Sequence, residues 1–499
     1  MASVFDVVIV GAGPAGCVLA NRLSEDPERR ILLIEAGPDY GDDISNWPPQ
    51  LLASNSVVLD SHLWGYANTD PEIELTRARI VGGTSTVNGC LWIRGSAADY
   101  DAWAALGNPG WSFDEMLPWF RKAESDPMGG ELHGHHGPVP VSRTPDDHLT
   151  ELDRGFQTAA ERLGVPACSD LNGTPWQEPG VGPPPTNSMD GVRMNAAFTY
   201  LRPARDRSNL TVMPDTLIDR VNFEGNTAVG VVTADGRQIA GRDVVLCSGS
   251  YGSPSILLRS GIGPAEQMNS LGIPLVVDSP GVGENLFDHP LVNGLLECDV
   301  YSGYQGSGPT FAPVIVKMRS SVIDSEIDYH IYQGQGFNHE TQRWTLWFSV
   351  TLQYARSRGR LRLKSRDPHA LASIDHAYFS DADDLEALCD GVEFVNRLAR
   401  TEPLSELIEP NPAHSLTWTS REELRQNVRA QVGTTYHPSG TCKMGPVSDP
   451  MAVVDARGQV YGVQGLRVVD ASIFPTGPHG NLHFPTVAAA EKIAAGMMS

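Results

Sequence analysis

Apolar residues in this chain are arranged in two distinct ways. Near the start they form unbroken runs, at 6–10 and again at 31–35, separated by a glycine turn and an amphipathic stretch to about Leu23. Unbroken apolar strands are buried on both faces of a parallel sheet, so this opening predicts one strand-helix-strand unit. From about Asn187 onward the runs shorten and alternate between punctuating Gly, Asn and Asp, at 217–221, 228–233 and 238–239 around the turn Asp235-Gly236. That pattern predicts a β meander, leading into a further buried strand over 243–247. Between about 300 and 430 the pattern predicts strands over 326–332, 343–352 and 360–363, followed by helices over 381–400 and 420–431, as a separate sheet-plus-helix domain. The tail returns to a strand over 465–469 and an Ala-rich helix from about Pro485. The Gly/Pro-rich stretch 174–185 is read as an irregular loop, and no internal repeat is present.

Composition narrows the class. The length of 499 residues allows two or three domains, and 37 basic against 60 acidic residues give a net charge of −23, which disfavours nucleic acid and anionic membrane surfaces. The seven cysteines form no close pair of the kind that holds zinc or exchanges disulfides, which fits reduced thiols in a cytoplasm. No basic leader with a cleavage site precedes the first strand, and no apolar run approaches the ~20 residues of a membrane span. A cytoplasmic protein without a membrane span is expected.

Chemistry enters with Gly11-Ala12-Gly13-Pro14-Ala15-Gly16, which follows a buried strand and opens a helix, with Glu35 24 residues after Gly11 at the end of the next strand. Gly11 permits the tight turn, Gly13 lets backbone approach a pyrophosphate, and Gly16 lets the helix lie close to the strand. Glu35 is placed to accept hydrogen bonds from a ribose. These residues alone leave FAD and NAD both open. A second glycine loop, Ala78-Arg79-Ile80-Val81-Gly82-Gly83-Thr84-Ser85-Thr86-Val87-Asn88, is too rich in small residues to be core and suits backbone packed against a flat ring.

This second loop, continuing through Trp92, Gly95 and Asp101, and the segment from Gly249-Ser250-Tyr251-Gly252-Ser253-Pro254 to Gly263 carry a resemblance. So do Gly281-Val282-Gly283-Glu284-Asn285-Leu286 with Asp288-His289, Tyr436-His437-Pro438 with 440–445, and Val469-Asp470-Ala471-Ser472. In these motifs, which span nearly the whole chain, the protein resembles the glucose-methanol-choline (GMC) oxidoreductases. The resemblance implies an α/β fold. A Rossmann-like FAD-binding domain would be assembled from 1–145, 200–300 and 432–499, and a second α+β substrate-binding domain with an antiparallel sheet from 146–199 and 301–431. It implies extended FAD held by Gly11, Gly13, Pro14, Ala15, Gly16, Glu35, Ala36, Arg79, Val81, Gly82, Gly83, Ser85, Asn88, Gly89, Val221, Ser248, Gly249, Asp470, Ala471, His483, Pro485 and Thr486. Some relatives tether FAD through a histidine where this chain has Val87, so non-covalent FAD is expected here.

Hydride transfer from an alcohol needs a base for the hydroxyl proton and a donor that holds the oxygen. His437 matches the family's base, and Asn481 matches its partner position. His483 stands where many relatives carry asparagine. Pro485 suits the first turn of the last helix, whose positive end would favour an anionic reduced flavin. Asp470 is read either as a contact to the ribityl-phosphate chain or as a helix N-cap. Arg193-Met194-Asn195-Ala196-Ala197-Phe198 and the strand 347–354 are expected to bound the pocket. Of Tyr329, Tyr332, Trp344 and Trp347, most are assigned to core and one or two to the cavity. His133-Gly134-His135-His136 is read as a Gly/Pro-flanked loop with no carboxylate partner at ligand spacing, so no metal is expected. The expected partners are an alcohol substrate and an electron acceptor, either O2 or a quinone or protein. Lyase or decarboxylase chemistry on the same scaffold is the alternative.

Overall fold

The computed structural model describes residues 4–498 except 70, 174–177, 302–303, 305–310, 324–325, 340–341 and 416–417. Its first sheet takes strands in the order Leu210–Met213, Ile31–Ile34, Phe5–Val10, Gln238–Leu246, Thr227–Thr233, Ile218–Glu224, with Leu466–Val468 also beside Gln238–Leu246. Phe5–Val10 and its neighbours pair in parallel, as their unbroken apolar runs require, and the meander strands pair antiparallel. The sequence reading split 238–239 from 243–247. They are one strand, whose first half closes the meander against Thr227–Thr233 and whose second half joins the parallel sheet. Arg242 and Asp243, which broke the apolar pattern, sit where the strand passes from one environment to the other.

The second sheet is antiparallel and runs Ile408–Ser415, Pro290–Val300, Arg343–Leu352, Tyr329–Asn338, Ile315–Met318, Gly180–Gly182, with Val432–Thr434 beside Pro290–Val292. Helix Ala382–Leu398 packs its apolar face on this sheet through Leu385, Leu388, Val392 and Val395. Three details differ from the sequence reading. The strand expected over 326–332 is Tyr329–Asn338. Gly180–Gly182, inside the expected loop, is an edge strand, while 174–177 lie outside the described residues. Arg360–Arg362 belongs to a small separate sheet with Ser373–Asp375, Tyr66–Thr69 and Glu72–Leu75, and Leu361 and Ile374 join the core of the first sheet.

The last helix, His483–Met498, lies against helices Pro14–Leu23 and Phe113–Ala123. Glu491 on it is fully buried and accepts from Arg22 Nη2 at 2.7 Å, Lys122 Nζ at 2.9 Å and Tyr200 Oη at 3.0 Å. A buried carboxylate needs such partners to be tolerated, and here they come from three other segments, so they fix where the helix begins. Its first turn brings His483 and Thr486 to the wall of a cavity.

Candidate active site

One cavity of about 350 Å³ runs from the carboxyl ends of Phe5–Val10 and Ile31–Ile34 to the second sheet. At one end Gly11 turns with φ +101°, and a Cβ there would stand 2.6 Å from the Cys247 carbonyl, so only glycine fits. Glu35 accepts from Ala12 N at 2.9 Å and from Gly37 N at 3.0 Å. Burial pushes its carboxyl up to about 7 against the pull of those backbone donors. Ala36, Gly13, Pro14 and Ala15 share this end of the wall. Gly83, at φ +55°, brings the second glycine loop against the first: a Cβ there would meet Gly13 Cα at 2.6 Å. Ser85, Val87, Asn88 and Gly89 continue the wall, and Ser248, Gly249, Asp470 and Ala471 close its other side. Asp470 accepts from Gly249 N at 2.9 Å and Ser253 Oγ at 2.6 Å, and also caps the short helical turn Ala471–Ile473 through Ser472 N at 2.8 Å. The capping role expected of Asp470 is therefore present, on a carboxylate that also lines the cavity.

His437 and Asn481 meet at the far end, with Asn481 Nδ2 3.5 Å from His437 Nε2. Burial, the largest effect, together with neighbouring His289, Arg77 and His330, holds the imidazole pKa well below its usual value, and Asp288 only partly opposes them. The ring is therefore neutral at pH 7. Asn481 Oδ1 and Thr351 Oγ1 are buried here without hydrogen-bond partners, while Leu91, Leu291, Phe311, Tyr332 and Ser349 complete the wall. His483 Nδ1 lies 3.4 Å from Asn88 Nδ2, and its ring stands edge-on to Trp92. Burial pushes it down to about 3, so it adds no positive charge. Thr486 lines the same stretch.

Six expected site residues do not reach this wall. Gly16 faces the Gly11 carbonyl, which is why it lacks a side chain. Arg79 turns away to the Ala36 carbonyl and stacks over Trp64. Val81 is core, Gly82 ties its amide to Ala12 O, and Pro485 is buried in the helix. Val221 gives its amide to Ser260 Oγ at 2.9 Å, and Thr216, Leu217 and Ile218 line the cavity in its place. The segment 193–198 also stays behind the wall. Arg193 is fully buried and spans to the carbonyls of Ala53 at 2.6 Å, Ser56 at 2.7 Å and Asn88, bracing the second glycine loop from outside. Of the four aromatics, Tyr332 faces the cavity and Tyr329 is core. Trp347 covers Gly334 and Gly336, and Trp344 packs on Tyr304 and Phe337.

Sequence reasoning missed Arg77, which lines the cavity and donates to the carbonyl of Tyr436, a residue held at φ +62° just before His437. It also gave no role to Asp288. This buried carboxylate accepts from His437 N at 2.8 Å, from Tyr378 Oη at 2.7 Å and from Thr434 Oγ1, and so fixes the His437 backbone. The signal was present, since Asp288-His289 stands in a quoted motif.

His133 does have carboxylate partners, contrary to the sequence reading. Its Nδ1 lies 3.2 Å from Glu124 and 3.1 Å from Asp126, and its Nε2 lies 2.9 Å from Asp170. Burial disfavours its charge, but these carboxylates outweigh it and raise the imidazole to about 10. With Arg94 and Arg143 the cluster places three basic side chains among three carboxylates, and Glu124, Asp126 and His133 stand close enough together to share one ion. Neither His135 nor His136, both exposed, takes part. No helix among the described residues is long and apolar enough to cross a membrane.

Comparison with known proteins gives a consistent picture. Two family profiles, both described as GMC oxidoreductase, match residues 5–291 and 355–490. The oxygen-dependent choline dehydrogenase 1 of Chromohalobacter salexigens is 37% identical over 98% of this chain and 94% of its own. Mitochondrial choline dehydrogenase of Mus musculus is 36% identical, over 98% and 89%. Among solved structures, pyridoxine 4-oxidase from Mesorbium loti superposes with a TM-score of 0.89 at 30% identity, covering 99% of both chains. A formate oxidase of Aspergillus oryzae, in a structure concerned with its FAD modification, gives 0.88 at 26% identity over 99% and 98%.

Proposed function

We propose a role for each residue of this site from one premise: the chain belongs to the glucose-methanol-choline oxidoreductase family and is an FAD-dependent oxidoreductase acting on CH–OH groups. FAD, when bound, supplies the acceptor for the hydride that leaves the substrate carbon. The cavity suits it. One end is bare backbone beside the buried carboxylate of Glu35, which suits a ribose, and the N-terminus of Pro14–Leu23 opens on the same end for a pyrophosphate. Asp470 would meet the ribityl chain, with Asn88, His483 and Thr486 beside the ring. Val87, on the wall, has no atom that could bond to the ring, in keeping with FAD held non-covalently.

In this reading an alcohol binds with its oxygen between His437 and Asn481. His437 Nε2 takes the hydroxyl proton, and the Asn481 amide donates to the oxygen as negative charge develops there. Arg77 clamps the Tyr436 carbonyl and Asp288 the His437 amide, so the base needs little reorganisation. The observation that carries the reading is His437 Nε2 standing 3.5 Å from the Asn481 amide at the far end of a cavity whose other end is lined by the two glycine loops and Glu35. The wall of Leu91, Leu291, Phe311 and Tyr332, with Ser349 and Thr351 among them, supports a small alcohol with an apolar or aromatic body and one further polar group. Choline and pyridoxine, named in the relatives and neighbours above, are the first to try. The electron acceptor would be O2 or a quinone or protein. Seven unpaired cysteines favour a reducing, cytoplasmic setting.

The test is the visible flavin spectrum of the purified holoprotein, recorded before and after anaerobic addition of choline, pyridoxine, benzyl alcohol and glucose, with air readmitted last. Bleaching identifies the substrate class, and recolouring with peroxide identifies an oxidase. A yellow protein that none of them bleaches refutes the reading. Acid precipitation should leave the yellow colour in the supernatant, whereas a coloured pellet would contradict non-covalent binding.

A further inference from the structure

His289 is fully buried, stands behind the cavity wall, and is given no task by the chemistry above. Its Nδ1 lies 2.9 Å from Nδ1 of His437, with the two rings near perpendicular at 88°. Two imidazole nitrogens at that distance share one proton, so one ring donates and the other accepts, and the choice sets the tautomer of both. A base that works through Nε2 must carry its own proton on Nδ1. His437 Nδ1–H then donates to His289, and the proton of His289 sits on Nε2, which faces the 477–478 backbone and makes no hydrogen bond there.

We propose that His289 is a positioning residue that fixes the reactive tautomer of His437, accepting its Nδ1–H and so leaving the Nε2 lone pair toward the substrate. This inference rests on the assignment of His437 as base. When His437 takes a proton at Nε2, its Nδ1–H stays bonded to a neutral acceptor, so the new imidazolium keeps its hydrogen bond and no second proton moves. His289 suits that task because it stays uncharged. Burial, the largest effect, and His479 hold it down to about 4 against Asp288 and Asp99. The other charged or titrating groups around the pair are Arg77 and His330 near His437, and His376 beside Asp288. The backbone of His289 is independently anchored, since its carbonyl accepts from Thr435 N at 3.0 Å and Thr435 Oγ1 at 2.6 Å. Side-chain substitutions therefore leave the segment pinned.

The test compares H289L, which removes the acceptor, with H289N, which keeps an acceptor oxygen. Anaerobic flavin reduction is followed across pH with whichever of choline, pyridoxine or benzyl alcohol bleaches the wild type. H289L should retain FAD but lose about 10- to 100-fold in limiting reduction rate. H289N should recover most of the rate. Nitrogen-15 spectra of histidine-labelled protein, with the His437 signals identified by their loss in H437Q, should show His437 protonated at Nδ1 in the wild type and a tautomer mixture in H289L. Wild-type rate and tautomer in H289L, or equal loss in both variants, overturns the inference. If H289L does not hold FAD, the decision falls to H289N, where an unrecovered rate or a wrong tautomer has the same force. A wild type that no alcohol reduces, by contrast, removes the function reading and this inference together.

Discussion

Replacing His437 with Gln separates a base from a residue that merely fills space. The side chain keeps its bulk, and the His437 backbone stays tied by its amide to Asp288 at 2.8 Å, so the cavity should keep its shape and its FAD. What is lost is the acceptor at Nε2. A positioned base contributes about 10²–10⁴-fold, so flavin reduction at pH 7 should slow by that factor, or about 3–5 kcal/mol of barrier. The pH dependence is the sharper measure. Only neutral His437 can accept the proton, and burial, His289 and Arg77 hold its pKa well below the usual value. In the wild type kcat/KM should therefore be flat above neutrality and fall only as the pH drops through that depressed pKa. In H437Q the proton must leave to water or hydroxide, so the rate should climb with pH and the gap to the wild type should narrow. Stopped-flow reduction under anaerobic conditions reads both curves. A parallel loss at every pH, or none, would refute the assignment of His437 as base.

Two further outcomes concern the cofactor end. Glu35→Gln puts an amide NH2 against one of the two backbone N–H groups that Glu35 now accepts, costing about 1–3 kcal/mol, so FAD should bind the apoprotein about 10- to 100-fold more weakly in a fluorescence titration. An unchanged Kd would remove Glu35 from the site. Gly83→Ala at φ +55° places a methyl 2.6 Å from Gly13 Cα, backbone that cannot swing aside. Left-handed strain and overpacking together cost about 2–5 kcal/mol, so the variant should purify with less FAD and melt earlier, whereas wild-type FAD content would show that the two loops need not touch.

How much of this was legible in the sequence follows from how local each signal is. The parallel strands announced themselves because strands buried on both faces are apolar at every position. The meander did so through turn residues. The joining of 238–239 with 243–247 was hidden because one strand crosses from a half-exposed antiparallel environment to a buried parallel one, and its polarity changes midway. The edge strand Gly180–Gly182 carries almost no side-chain signal and exists because Ile315–Met318 offers it a partner far away in sequence. Residues of the glycine loops were recognisable by type. Which of them face the cavity and which, like Gly16 and Gly82, serve backbone-to-backbone contact depends on the packing of loops 70 residues apart.

His437 and His133 mark the limit of what residue type can reveal. Both are histidines beside carboxylates, His133 buried and His437 partly exposed at the cavity, yet the surroundings drive their charges in opposite directions. Around His133 three carboxylates point at the ring nitrogens themselves, and the gain in pairing exceeds the desolvation cost, so the ring is held charged. Around His437 the one carboxylate, Asp288, spends its oxygens on the His437 backbone amide and on two hydroxyls, while the ring nitrogens face a neutral imidazole and an amide. Desolvation then dominates and the ring stays neutral. A cationic histidine can hold a fold together but cannot take a proton, and a neutral one beside a cavity can. The difference lies in which atoms of Asp288 and His289 face the ring, and that is set by the pairing of Phe287 with Ser439 across more than 150 residues of chain.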